Sequence, residues 1–321
     1  MAATKKLAGD QKTSWMHRTM MGLSVLFALL IHPTGAQAQD FSQVKSKLNK
    51  RGLDIRVGES GWGEADKEDI ERVLYSVAAE LEPYFPHGKL PPIKVEHGND
   101  TPIALFEKVA GGQYVIQLTA KDRHWSQLAY QFAHELTHVL SNFDNNAIRE
   151  SKSSDPNQWF EEAICEAASL FALKQMAVTW EVAPPYEQWK AYAPSLRRYA
   201  DEMKRESHRE LPAGMTLASW FGKNESIVRD DPYRRANNEV VATRLLALLE
   251  QQPQSWGAIS YLNHDKDANA ADIREYLQYW YEDCPDAYKG FVRQVMAELG
   301  VTGQTTGTRL ASARRQPTSS Q

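Results

Sequence analysis

Only two cysteines occur in the 321 residues. That scarcity excludes a disulfide-built scaffold, and neither Cys165 nor Cys284 has the partner spacing of a zinc-thiolate site. A membrane-spanning apolar run is also missing at the N-terminus: the mostly apolar stretch Met20 to Ile31 covers twelve residues, too few to cross a bilayer. An excess of basic charge is absent, with 37 Lys and Arg against 41 Asp and Glu. A nucleic-acid partner is therefore not expected. No internal repeat is present, so a solenoid is excluded.

What does occupy the N-terminus is a pattern of export. Lys5, Lys6, Lys12 and Arg18 precede the short apolar run, and Ala36-Gln37-Ala38 follows it. A basic region, a short apolar region and an Ala-x-Ala site describe a cleavable secretory signal. The sequence predicts cleavage after Ala38, a mature chain from Gln39, a periplasmic or secreted location, and no stable membrane anchor after cleavage. Loss of four Lys or Arg and one Asp leaves 33 basic and 40 acidic residues, net −7. Export permits a Cys165–Cys284 disulfide, but a chain of this size does not need one to fold. A small buried residue is the simpler account of Cys165.

The chemistry is concentrated at Tyr130 to Leu140, which contains His134-Glu135-Leu136-Thr137-His138. Two histidines four apart lie on neighbouring turns of one helical face, where both can reach a single metal ion. The glutamate between them is offset around the helix, placed to take a proton from an attacking water instead of ligating. His-Glu-x-x-His arises by chance in roughly one chain in a hundred of this length, so context carries the weight. Ser126 to Ser141 holds no proline or glycine, and Leu128, Phe132, Leu136, Val139 and Leu140 form one apolar stripe. His134 and His138, with Gln131, fall on the opposite face. The alternative is a surface helix with two solvated histidines.

A third ligand is available twenty-one residues after His138, where Trp159-Phe160-Glu161-Glu162-Ala163-Ile164-Cys165-Glu166 also reads as a helix. Glu162 and Glu166, at i and i+4, share one side, and Glu161 points away from them. A catalytic zinc takes three protein ligands and keeps a fourth position open. Glu162 completes a His-His-Glu set for Zn²⁺, and Glu166 is placed to accept the spare ring N–H of a ligating histidine. A solvated acidic helix face is the competing reading.

These two segments together resemble the gluzincin clan of zinc metallopeptidases. Trp159-Phe160-Glu161-Glu162-Ala163 is similar to the Trp-Leu-Asn-Glu-Gly signature of aminopeptidase-type members, with Glu161 in place of Asn and Ala163 in place of Gly. The Gly-Ala-Met-Glu-Asn exopeptidase motif is absent. The resemblance covers about residues 110–250, with strong motifs only at the two helices. It implies that Glu162 is the ligand glutamate and Glu166 the acid one turn later. It also implies a tyrosine near the start of a later helix that stabilises the oxyanion. Tyr233, in Asp231-Pro232-Tyr233-Arg234-Arg235, is the candidate; Tyr261, Tyr281, His208 and His264 are alternatives.

The expected fold is α+β and zincin-like. A small mixed α/β N-terminal lobe spans 39–125, and zinc-site helices with a predominantly helical C-terminal lobe span 126–301. The active site lies between them, and 302–321 form a disordered tail. Ile70 to Leu81 reads as a helix; Ile93–Val95 and Tyr114–Leu118 read as strands, the second entered through a Gly111-Gly112 turn. Tyr114–Leu118 is either an open edge that pairs with a peptide or an ordinary sheet strand. Six tryptophans from Trp159 to Trp280 are expected mainly to fill a helical core. The function expected is a zinc peptidase acting on a peptide or protein substrate. The alternatives are a zinc hydrolase with a non-peptide substrate, an envelope binding protein that keeps the fold, and a structural metal site.

Overall fold

Short β-branched runs alternate with amphipathic helices in the first third of the chain, and they assemble into a small sheet backed by helices. A computed structural model describes residues 40–85, 90–145, 156–264 and 272–301. The predicted signal region, its cleavage point and the predicted tail at 302–321 lie outside the described residues. Helix α1 (Phe41–Lys50) is capped by the Asp40 carboxylate, which accepts from the Ser42 N–H. Strand β1 (Ile55–Val57) then crosses through helix α2 (Lys67–Leu81) to β2 (Ile93–His97), β3 (Ile103–Ala104) and β4 (Tyr114–Leu118). The sheet order is β1-β2-β4-β3, with β1, β2 and β4 parallel and β3 antiparallel at the edge.

Parallel neighbours require a long crossover, which α2 supplies between β1 and β2. Its residues Ile70, Val73, Leu74, Val77, Ala78 and Leu81 are all buried. Between β3 and β4 the chain turns through Gly111 and Gly112 at φ 87° and 74°, a region where side chains with a Cβ are strained. The predicted β4 span is the observed one. Its edge reading is corrected: β4 is bonded by β2 on one side and β3 on the other, and β1 and β3 are the edges. Strand alternation reveals which residues face the core but not which strand ends the sheet.

The rest of the described chain is helical, and the molecule is a mostly helical mixed α/β protein with a small sheet. Helix α3 (Trp125–Leu140) follows β4, and α4 (Gln158–Val182) packs along it. Helices α5 (Ala193–Lys204), α6 (Leu217–Asp230), α7 (Arg235–Gln251), α8 (Ile273–Asp283) and α9 (Asp286–Glu298) complete it. Pro184-Pro185 follows the end of α4, and Gly214, at φ 74°, lies ahead of α6. Helix α4 is apolar nearly all round and lies against α3, α5 and α7, so it is a core helix. Trp159 stacks on Phe221 and Trp180 on Trp189, while Trp256 packs against Phe171. Trp159, Trp180 and Trp256 are fully buried, as a core role for them requires.

Candidate metal centre

Helix α3 is not a surface helix. His138 is buried and His134 nearly so, because the face opposite the apolar stripe is covered by α4. Gln131, on that same face, is also buried. Its side-chain oxygen accepts from the Thr119 and Ala120 N–H groups, and its amide donates to Thr119 Oγ1. It thereby fixes the loop from β4 into α3.

Glu162, at the start of α4, joins the two histidines. His134 Nε2 lies 3.2 Å from Glu162 Oε2, and His138 Nε2 lies 3.5 Å from Glu162 Oε1. Ligands bonded at 2.0–2.1 Å to one tetrahedral ion are themselves separated by about 3.3–3.4 Å. Each ring nitrogen thus stands near ligand-to-ligand distance from a different oxygen of Glu162. Burial alone raises the Glu162 carboxyl, but the charge of His138 and the hydrogen bond from His134 outweigh it and bring it to about 2.

Cys165 also stands close: ligand-capable atoms of His134, His138 and Cys165 lie within 4.8 Å of one another. Burial pushes its thiol up to about 12, with His138 opposing that shift. An ionised carboxylate is therefore ready to ligate, whereas the thiol must first lose its proton. His134 and His138 thus have two candidate third donors, Glu162 and Cys165. Both cysteines are free and buried, so no disulfide joins Cys165 to Cys284.

Glu135 is buried beside this group. Desolvation raises its pKa, and the nearby His134 and His138 pull it part of the way back. The Ala104 backbone N–H of edge strand β3 also reaches the Glu135 carboxyl. Leu105 N–H points inward to Val115 O, so its neighbour Ala104 faces the open side of the sheet.

Two acidic residues behave differently from their helix projection. Glu161 is buried and contacts the second histidine: its Oε1 lies 2.5 Å from His138 Nδ1. Glu166 is buried one turn beyond Glu162, but its Oε2 is 3.9 Å from His134 Nδ1. That is too long for a hydrogen bond, and His134 Nδ1 has no hydrogen-bond partner among the described residues. Glu166 instead accepts from the Tyr130 hydroxyl and from Arg209 Nη2 at 2.6 Å. A wheel assigns faces, not the helices that will cover them. One signal was available: carboxylates in a stretch as apolar as 159–173 all need partners.

Behind Glu166, Arg209 Nη2 also donates to Glu239 at 2.7 Å, and Arg235 donates to both Glu239 and the Tyr130 hydroxyl. His208 contacts Glu239 as well. Glu206, His208 and Glu239 are close enough to suggest a second cation site. Arg209 and Arg235 already neutralise Glu239, and Arg209 reaches Glu206, so a further cation there would face two guanidiniums.

Tyr233 is 67% exposed, two residues ahead of α7, and takes no part in the contacts that join the histidines to Glu162. His264 lies 3.7 Å from Asp283, and the Tyr281 hydroxyl accepts from Arg293. The chain matches no protein-family model, no curated protein and no solved structure. The resemblance to gluzincins therefore rests on the residues themselves.

Proposed function

We propose that this protein is an exported zinc metallopeptidase of gluzincin type, with a zincin-like fold and its active site between a small α/β lobe and the helical lobe. The observation that carries the reading is that His134 Nε2 and His138 Nε2 each face one oxygen of Glu162, with Glu135 buried alongside. Zinc, when bound by these three side chains, supplies Lewis acidity that polarises a scissile carbonyl and lowers the pKa of an attacking water towards ~7.

Glu135 takes the water proton and returns it to the leaving amine. Its raised pKa suits that role, because a shuttle works best when its affinity for the proton lies nearer the working pH. The edge of β3 supports a peptide as the substrate: an extended chain can add to an open strand edge, and Ala104 sets that edge against Glu135. Tyr233 is the proposed oxyanion donor, at the entrance of α7. Glu166 supports the histidine side of the site through charge, anchored by Tyr130 and Arg209.

The test is incubation with a mixed peptide library, read by mass spectrometry, with Glu135→Gln as the control. Cuts made only by the unaltered chain support the peptidase. Zinc bound without any cut redirects the reading to a non-peptide substrate.

A further inference from the structure

We infer that Asn263, held by Tyr276, is a positioning residue for the metal centre that acts through Glu161 on His138; the inference rests on the zinc reading of that centre. Three contacts in series carry it. The Tyr276 hydroxyl donates to Asn263 Oδ1 at 2.7 Å, Asn263 Nδ2 donates to Glu161 Oε2 at 2.6 Å, and Glu161 Oε1 lies 2.5 Å from His138 Nδ1. Every atom in this series is in a buried side chain. The Tyr276 hydroxyl sets which way the Asn263 amide faces, because the reversed amide would turn its oxygen onto the Glu161 carboxylate. Glu161 is placed to accept the proton on Nδ1, which would leave Nε2 as the His138 nitrogen that ligates a metal.

The segment that carries Asn263 is tied to the metal helix itself. Beyond the end of α3, Asn142 donates to Ser260 O at 2.8 Å and to Leu262 O at 3.0 Å, and Asn145 donates to Asn263 O at 2.9 Å. Asn263 sits at φ 56°, in the left-handed region that asparagine tolerates better than most residues. A residue kept only for that turn has no need of an amide aimed at Glu161. The arrangement makes the segment 260–263 a brace that reaches the His138 ring from a part of the chain more than a hundred residues away.

The experiment measures Zn²⁺ affinity by competition with a chromogenic chelator, together with the absorption spectrum of the Co²⁺-loaded protein. Asn263→Gly retains the backbone conformation and removes the amide. The expected result is a tenfold to hundredfold loss of zinc affinity, with an altered cobalt spectrum and unchanged far-ultraviolet circular dichroism. Wild-type affinity and spectrum in folded Asn263→Gly overturn the inference. If that variant does not fold, Tyr276→Phe decides, since it deletes only the hydroxyl that orients the amide; unaltered affinity there overturns it equally. Failure of the parent reading has its own signature: the unaltered chain binds no zinc, or binds it undiminished by Glu162→Ala.

Discussion

Glu166 and Arg209 form a buried ion pair at 2.6 Å, directly behind His134 of the candidate metal centre. Their charges hold one another: burial would raise the Glu166 carboxyl, and Arg209 and Arg235 lower it below the ordinary value instead. Removing Glu166 leaves Arg209 and Arg235 sharing Glu239, so the buried cluster loses one of the charges that balance it. Glu166→Ala is expected to destabilise the fold by about 3–5 kcal/mol, measured by urea denaturation. A loss under about 1 kcal/mol would show that water or another carboxylate replaces it.

Metal binding separates Glu162 from its neighbour Cys165. Glu162→Ala is expected to abolish stoichiometric zinc binding, and Cys165→Ala to retain it within a few-fold. Zinc content after gel filtration checks both. The reverse pattern makes the centre His-His-Cys.

Glu135 has a different expected phenotype, because the proposed mechanism gives it the proton of the attacking water and no place on the ion. Glu135→Gln should keep zinc affinity close to that of the unaltered chain and lower peptide turnover by at least about 10²–10⁴-fold. Calorimetric zinc titration and cleavage rates read the two halves separately. Retained turnover removes Glu135 from the mechanism.

The metal-free protein is expected to lose stability in acid. Glu162 has a folded pKa of about 2 against an ordinary 4.5. Its stabilising contribution is complete above about 4.5 and is lost as the pH falls through about 2. His138 works in the opposite sense: burial opposes its charge, but Cys165, Glu162 and Glu161 outweigh that and raise its pKa. Its contribution is complete below the ordinary 6.5 and is lost as the pH rises through the folded value. Urea unfolding between pH 5 and 2.5 is expected to be flatter in Glu162→Gln. Equal slopes would deny Glu162 this role.

Much of the local structure was legible in the sequence. The period of Leu128, Phe132 and Leu136 defines α3, and the five residues Tyr114–Leu118 define β4, because side-chain spacing alone distinguishes a helix from a strand. The spacing of His134 and His138 likewise puts both rings on one face, and Glu162 lies on the helix where the motif predicts it. What only the tertiary structure decided is which groups meet across elements. That Glu161 faces His138 while Glu166 turns to Arg209, that β4 lies inside the sheet, and that Asn263 arrives beside Glu161 all depend on how elements distant in sequence pair and pack. Local periodicity is a property of one segment; the partner of a buried carboxylate is a property of the whole packed chain.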